Sequence, residues 1–223
     1  MNFQHSAIRT VIFDLDGTLI DAFSDIADAV NVPLRRRGYP THSVAAITEF
    51  VGEGAGKLIE RATPNIPADE IEEVRREMMD YYRQFPAEHA IVYTGILPLL
   101  EGLRARGLRL GILTNKRIEM THKTLVKLGL TNYFDDVVGE DGESTPRKPH
   151  PGGLLAQIQR LGGHSAILVG DGIPDGKVAI AAGVPFVAVL WGTRTREQLA
   201  EFNPIAYAET VEELDAILHH LCP

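Results

Sequence analysis

Only one cysteine, Cys222, occurs in the 223 residues. No disulfide can form within the chain, and the fold requires no oxidising compartment. Long hydrophobic runs are missing too, since nothing approaches the roughly 20 residues of a membrane span. The stretch Met1 to Thr10 has no basic region followed by an apolar one, so no signal peptide is expected. A cytoplasmic protein without a membrane partner is the expectation. Positive charge is scarce, with 22 Lys and Arg against 30 Asp and Glu and a formal net charge of -8. That balance argues against a broad nucleic-acid surface but leaves room for a local basic pocket holding a small anion. Low-complexity tracts and internal repeats are absent as well. What is there is 44% hydrophobic, long enough for one large or two small domains with an adequate core.

Val11-Ile12-Phe13 is a short β-rich run that stops at the polar turn Asp14-Leu15-Asp16-Gly17-Thr18. Three further apolar runs end in the same way. Leu108 to Leu113 leads into Thr114-Asn115, Ala166 to Val169 into Gly170-Asp171-Gly172, and Val184 to Leu190 into Trp191-Gly192-Thr193. Near-continuous apolar runs read as strands covered on both faces. Helical patterns lie between them, at Ile96 to Arg106, Arg117 to Leu128, Pro151 to Leu161 and Asp175 to Ala182. Strands alternating with helices predict parallel βαβ units, an α/β fold with a Rossmann-like parallel sheet. Ligands of such sheets bind beyond the carboxyl ends of the strands, where these polar residues stand.

The block 22–92 breaks the alternation and contains no convincing strand. Its clearest helix runs from Asp69 to Phe85, with Ile71, Val74, Met78 and Tyr82 along one face. Pro33 lies inside a helical pattern from Asp25 to Arg37, which predicts a kink or break there. The expected organisation is an α/β core, 1–21 and 93–223, with an inserted helical cap, 22–92, over the polar edge of the sheet.

Asp14 and Asp16 stand two apart at the end of a buried strand, where two acids are costly unless a metal or a partner compensates them. Taken alone, Asp-x-Asp-Gly is also an ordinary turn. The full string Asp14-Leu15-Asp16-Gly17-Thr18-Leu19, with Asp21 following, resembles the first motif of the haloacid dehalogenase superfamily. Three later segments resemble its other motifs, in order: Thr114-Asn115, Lys148 within Arg147-Lys148-Pro149-His150-Pro151, and Gly170-Asp171-Gly172-Ile173-Pro174-Asp175. Gly172 departs from many relatives, which carry Ser or Thr there.

The resemblance implies a phosphotransfer enzyme. Asp14 would be the nucleophile that forms an aspartyl-phosphate, and Asp16 would protonate the leaving oxygen and then activate water. Mg²⁺ would be held by the Asp14 carboxylate, the Asp16 main-chain carbonyl and the Asp171 carboxylate, with Asp175 orienting the metal's waters. Such an all-oxygen set suits a hard cation. The Thr114 hydroxyl and the Asn115 backbone N–H would hold phosphoryl oxygens, and Lys148 would offset their charge. An acid at Asp16 separates phosphatases and phosphomutases from the dehalogenases and phosphonate hydrolases of the superfamily, which lack it. Outside that context Asp175 is equally a helix N-terminal acid, and Lys148 a solvated loop residue.

Gly52-Glu53-Gly54-Ala55-Gly56-Lys57 is not a P-loop: three residues separate Gly52 from Gly56, Leu58 follows the lysine and no strand precedes. The stretch from Phe50 to Ala62 resembles the cap of phosphoglycolate phosphatases instead, and Leu113-Thr114-Asn115-Lys116 and the Trp191-Gly192 region with Arg194 to Leu199 also resemble that group. That implies a loop facing substrate, with Lys57 or Arg61 as partner for a substrate carboxylate. The alternatives are a plain helix–helix turn and solvated helix charges. The eight histidines show no metal spacing, and Cys222 has no base nearby. The expected activity is Mg²⁺-dependent hydrolysis of a small phosphomonoester by a monomer or homodimer. The first candidate substrate is 2-phosphoglycolate, followed by pyrophosphate, sugar phosphates and nucleoside monophosphates. A phosphomutase and a catalytically idle binding protein are the competing classes, and the intact acids argue against the second.

Overall fold

The computed structural model describes residues 8–142 and 146–222; of the stretch read for a leader, residues 1–7 lie outside them. In chain order the elements begin with β1 (Thr10–Phe13), β2 (Ile20–Asp21), α1 (Phe23–Arg36), α2 (Val44–Phe50), α3 (Ala55–Ala62), α4 (Ala68–Gln84) and β3 (Ile91–Val92). They continue with α5 (Ile96–Ala105), β4 (Arg109–Arg117), α6 (Ile118–Lys127), β5 (Asp136–Glu140), α7 (Gly152–Arg160), β6 (Ala166–Gly170) and α8 (Ile173–Ala182). The last are β7 (Phe186–Val189), α9 (Arg196–Leu199), β8 (Ala206–Ala208) and α10 (Val211–Leu221).

Six strands form one sheet in the order β5-β4-β1-β6-β7-β8, and every neighbouring pair is parallel. Alternation along β1 explains the three layers. Val11 and Phe13 pack on one face with Leu99 and Leu103 of α5 and with Leu214 and Leu218 of α10. Ile12 packs on the other with Leu154 and Ile158 of α7 and Val178 of α8. All four residues of β1 are buried, which is why the strand reads as an unbroken apolar run rather than an alternating one.

Helices α1 to α4 lie between β2 and β3, which pair as a two-residue antiparallel ribbon. The ribbon corrects the expectation that the block 22–92 contains no strand. Ile91–Val92 is too short to show a period of two. The four helices bury a cluster of their own, including Val30, Leu34, Ile47, Ile59, Val74 and Met78, and α6 contributes Met120 to it. Helix α1 runs from Phe23 to Arg36 through Pro33 rather than breaking there. Pro33 is buried one turn from the end, so packing retains a turn that has lost a single N–H donor. At the other end of the block, Arg83 of α4 pairs with Glu119 of α6 at 3.2 Å. Among the described residues, no helix is long and apolar enough to cross a membrane.

Candidate active site

The parallel strands bring their carboxyl-end residues to one edge of the sheet. Asp14 and Asp16 follow β1, Thr114, Asn115 and Lys116 close β4, Asp171 follows β6, and Thr193 lies beyond β7. Asp175 stands in the first turn of α8, and Lys148 precedes α7; both are buried. One carboxylate oxygen from each of Asp14, Asp171 and Asp175 lies within 4.8 Å of the other two.

Lys148 sits inside this group, its Nζ 2.9 Å from Asp14 Oδ1 and 2.6 Å from Asp175 Oδ1. Burial alone would lower its pKa, but Asp14 and Asp175 outweigh burial and hold the ammonium above its ordinary value. The acids move the other way. Burial first, and then the charge of Asp14, push Asp171 up to about 6 and Asp175 up to about 7. One lysine therefore leaves negative charge uncompensated among three carboxylates. A divalent cation would supply what is missing, and donors that are all oxygen fit a hard ion such as Mg²⁺.

Asp171 is fixed from two sides. Thr18 Oγ1 donates to its Oδ1 at 2.8 Å, while Thr193 donates to Oδ2 from its backbone N at 2.8 Å and its Oγ1 at 2.7 Å. The backbone at Gly17 and Gly192 approaches so closely that a Cβ at either position would fall inside the Asp171 side chain. Gly17 also has φ +87°, the left-handed region, so Asp16-Gly17 meets two demands that glycine alone satisfies. Asp14 accepts from Leu15 N at 2.7 Å through Oδ1, the oxygen that also meets Lys148. Its Oδ2 has no hydrogen bond among the described residues.

Asp16 is held by a different cation. Lys116 Nζ lies 2.9 and 3.1 Å from its two oxygens and 2.5 Å from the hydroxyl of Tyr82 on α4. Its side chain is 6% exposed. Burial opposes the ammonium, yet Asp16 and Tyr82 together hold its pKa above the ordinary value. Burial pushes the Tyr82 phenol up to about 12, so it stays neutral. Thr114 is buried and accepts from Lys116 N at 3.2 Å, which leaves its own proton to donate. Asn115 Nδ2 donates to Gly52 O at 2.9 Å and to Lys148 O at 3.0 Å, tying β4 to the glycine loop.

Lys57 and Arg61 are not brought to this site. Lys57 has a side chain 53% exposed and bonds Glu60 at 2.7 Å. Arg61 donates to Phe50 O at 3.0 Å and pairs with Glu53, bracing the glycine loop from outside. Residues four apart share a helix face, and on α3 the face toward the cavity carries Ala55 and Leu58. The sequence reading assigns no site role to Lys116, Thr18, Thr193 or Tyr82. Lys116, Thr18 and Thr193 lie in polar turns at strand ends, a signal that was present. Tyr82 showed only the apolar face of its helix. Gly172 begins α8 and offers no capping oxygen, but Asp175 Oδ2 accepts from its N–H at 2.9 Å.

Between the sheet edge and the helices lies a cavity of about 90 Å³, where a single water needs roughly 10–15 Å³ on the same scale. Its sheet-side wall is Asp14, Asp16, Thr114, Lys116, Asp171 and Asp175. Its other wall is apolar, with Ile26, Ala29, Leu58, Met78 and Met79 from the helical block.

Residues 11–189 match the model of a family described as haloacid dehalogenase-like hydrolases. The chain is 38% identical over 208 residues to a phosphoglycolate phosphatase of Rhodospirillum rubrum, covering 89% of this chain and 86% of that protein. It is 32% identical over 217 residues to a phosphoglycolate phosphatase of Aquifex aeolicus, covering 93% and 97%. Among solved structures, a predicted phosphoglycolate phosphatase from Haemophilus somnus superposes with a TM-score of 0.85 at 26% identity, covering 94% of this chain and 97% of that one. A haloacid dehalogenase-like hydrolase from Streptococcus pneumoniae gives 0.84 at 26% identity, covering 95% and 98%.

Proposed function

This chain belongs to the haloacid dehalogenase-like hydrolases, and we propose that its reaction is the Mg²⁺-dependent hydrolysis of 2-phosphoglycolate to glycolate and phosphate through an aspartyl-phosphate on Asp14. The family match and the curated relatives make it a phosphoric monoester hydrolase. The observation that carries the finer reading is the cluster of three carboxylates within 4.8 Å around a buried lysine. The Asp14 carboxylate, the Asp16 main-chain carbonyl and the Asp171 carboxylate would hold Mg²⁺, with Asp175 supporting it; the ion would withdraw charge from the phosphoryl oxygens.

Asp14 attacks phosphorus through Oδ2, the oxygen without a hydrogen bond. The bond from phosphorus to the leaving oxygen breaks as Asp16 gives that oxygen a proton. Water then bonds to phosphorus while Asp16 takes its proton, and the bond from phosphorus to Asp14 breaks to release phosphate. The Thr114 hydroxyl and the Asn115 backbone N–H hold the transferring oxygens, and Lys148 offsets their charge. Both oxygens of Asp16 are gripped by the Lys116 ammonium, at 2.9 and 3.1 Å. Acting as an acid requires Lys116 to loosen that grip. Because Lys116 also bonds Tyr82, the helical block, acting as a cap, is coupled to the acid–base group.

The substrate assignment is supported by the relatives' names, which extend over most of the chain, and by a cavity suited to a small molecule. Phosphate release from phosphoglycolate, pyrophosphate, sugar phosphates and nucleoside monophosphates tests it. Phosphoglycolate is expected to have the highest kcat/KM, and chelation to abolish turnover. Any other substrate leading by an order of magnitude replaces phosphoglycolate, and chelator-resistant turnover removes the metal.

A further inference from the structure

Arg117 lines the same cavity, directly after Lys116, where β4 ends and α6 begins. It is half-buried. Its guanidinium has neither an ion pair nor a hydrogen bond among the described residues. Three other cations around the site are engaged. Lys116 holds Asp16, Lys148 holds Asp14 and Asp175, and Arg194 meets Glu49 at 2.9 Å. Glu140, the ladder neighbour of Arg117, meets Arg147 at 3.6 Å instead.

A guanidinium carries five N–H donors in a planar fork, and partial burial deprives them of water. The cavity wall of the helical block offers nothing ionic, so an anionic group beyond the phosphate of a bound substrate has one free cation within the lining described. The fork matches a carboxylate with two parallel hydrogen bonds. We infer that Arg117 reads a carboxylate on the substrate and selects short phosphorylated carboxylic acids over uncharged phosphomonoesters. This rests on the phosphatase reading above and gives its specificity a residue.

The test compares kcat/KM for phosphoglycolate with that for ethyl phosphate, which has the same two-carbon skeleton without the carboxylate, on Mg²⁺-supplied wild type, Arg117→Ala and Arg117→Lys. Wild type is expected to favour phosphoglycolate. Arg117→Ala is expected to reduce that ratio by about 10- to 100-fold, the worth of a charge-assisted contact, chiefly through KM. Arg117→Lys is expected to restore part of it, since it returns the charge without the fork. A ratio in Arg117→Ala within about twofold of wild type overturns the inference. Should Arg117→Ala fail to fold, Arg117→Gln keeps the side-chain bulk and is read by the same ratio. A wild type with no preference for phosphoglycolate overturns the substrate reading itself, before any variant is measured, so the two failures are distinct.

Discussion

The two walls of the cavity are built on opposite principles. The sheet edge crowds Asp14, Asp16, Asp171 and Asp175 with Lys116 and Lys148, each with a partner at hydrogen-bond distance. The helical wall is aliphatic and sulfur-bearing, and it reaches the edge through a phenol and a loop carbonyl. Charges that share partners inside a protein act as a unit, so altering one is felt by all. Apolar packing responds to volume and is locally forgiving. In the proposed reaction the chemistry belongs to the sheet edge, and substrate choice and water exclusion fall to the cavity's remaining lining.

The largest effect is expected on the charged wall. Asp14→Asn should reduce turnover to background while far-ultraviolet dichroism and Tm stay near wild type, because an amide is a poor nucleophile of nearly the same shape. Activity within tenfold of wild type would mean that this edge is structural.

Metal removal should come next. The folded-state pKa values of Asp171 and Asp175 are raised, to about 6 and about 7, above the ordinary carboxylate value of 3.8. The metal-free folded state therefore binds protons more tightly than the unfolded chain. These groups favour folding below about pH 4, and that contribution declines as pH rises toward 7. Mg²⁺ needs the ionised forms, so its gain in Tm should be larger at pH 8 than at pH 5.5. Equal gains at both values would detach the ion from these acids.

A smaller loss is expected where the walls touch. Tyr82→Phe removes the hydroxyl that Lys116 bonds and should lower kcat by roughly three- to tenfold, about the worth of one hydrogen bond. Nitrophenyl phosphate, whose leaving group needs little protonation, should suffer least. An identical loss for good and poor leaving groups would reduce Tyr82 to packing. Lys57→Ala should do least of all, changing kcat/KM for phosphoglycolate by less than about twofold, because surface ion pairs contribute little. A larger loss would bring α3 back into substrate recognition.

The fold was legible where burial is total and the pattern long. The run Val11-Ile12-Phe13 ending at Asp14 marks a central strand, and the motif order placed Thr114, Lys148, Asp171 and Asp175 at one edge. Strand β5 was not legible, because Asp136, Gly139 and Glu140 leave it an apolar core of only Val137 and Val138. Strand β8 has three residues at the sheet's border. The outward position of Lys57 is legible in the sequence as well. Leu58, Ile59 and Ala62 mark the buried stripe of α3, and Lys57, Glu60 and Arg61 fall opposite. The pairing of Lys116 with Asp16 joins residues 100 apart in sequence, and no local pattern announces it.

The covalent step on Asp14 is tested most directly by rapid-quench kinetics of Asp16→Ala with nitrophenyl phosphate and Mg²⁺. The good leaving group lets the first step proceed without an acid, while hydrolysis lacks its base. The expected result is a burst of about one nitrophenol per enzyme, with phosphate recovered by mass spectrometry on the peptide containing Asp14. Linear release with no burst, and no phosphate on that peptide at any time of quench, would contradict it.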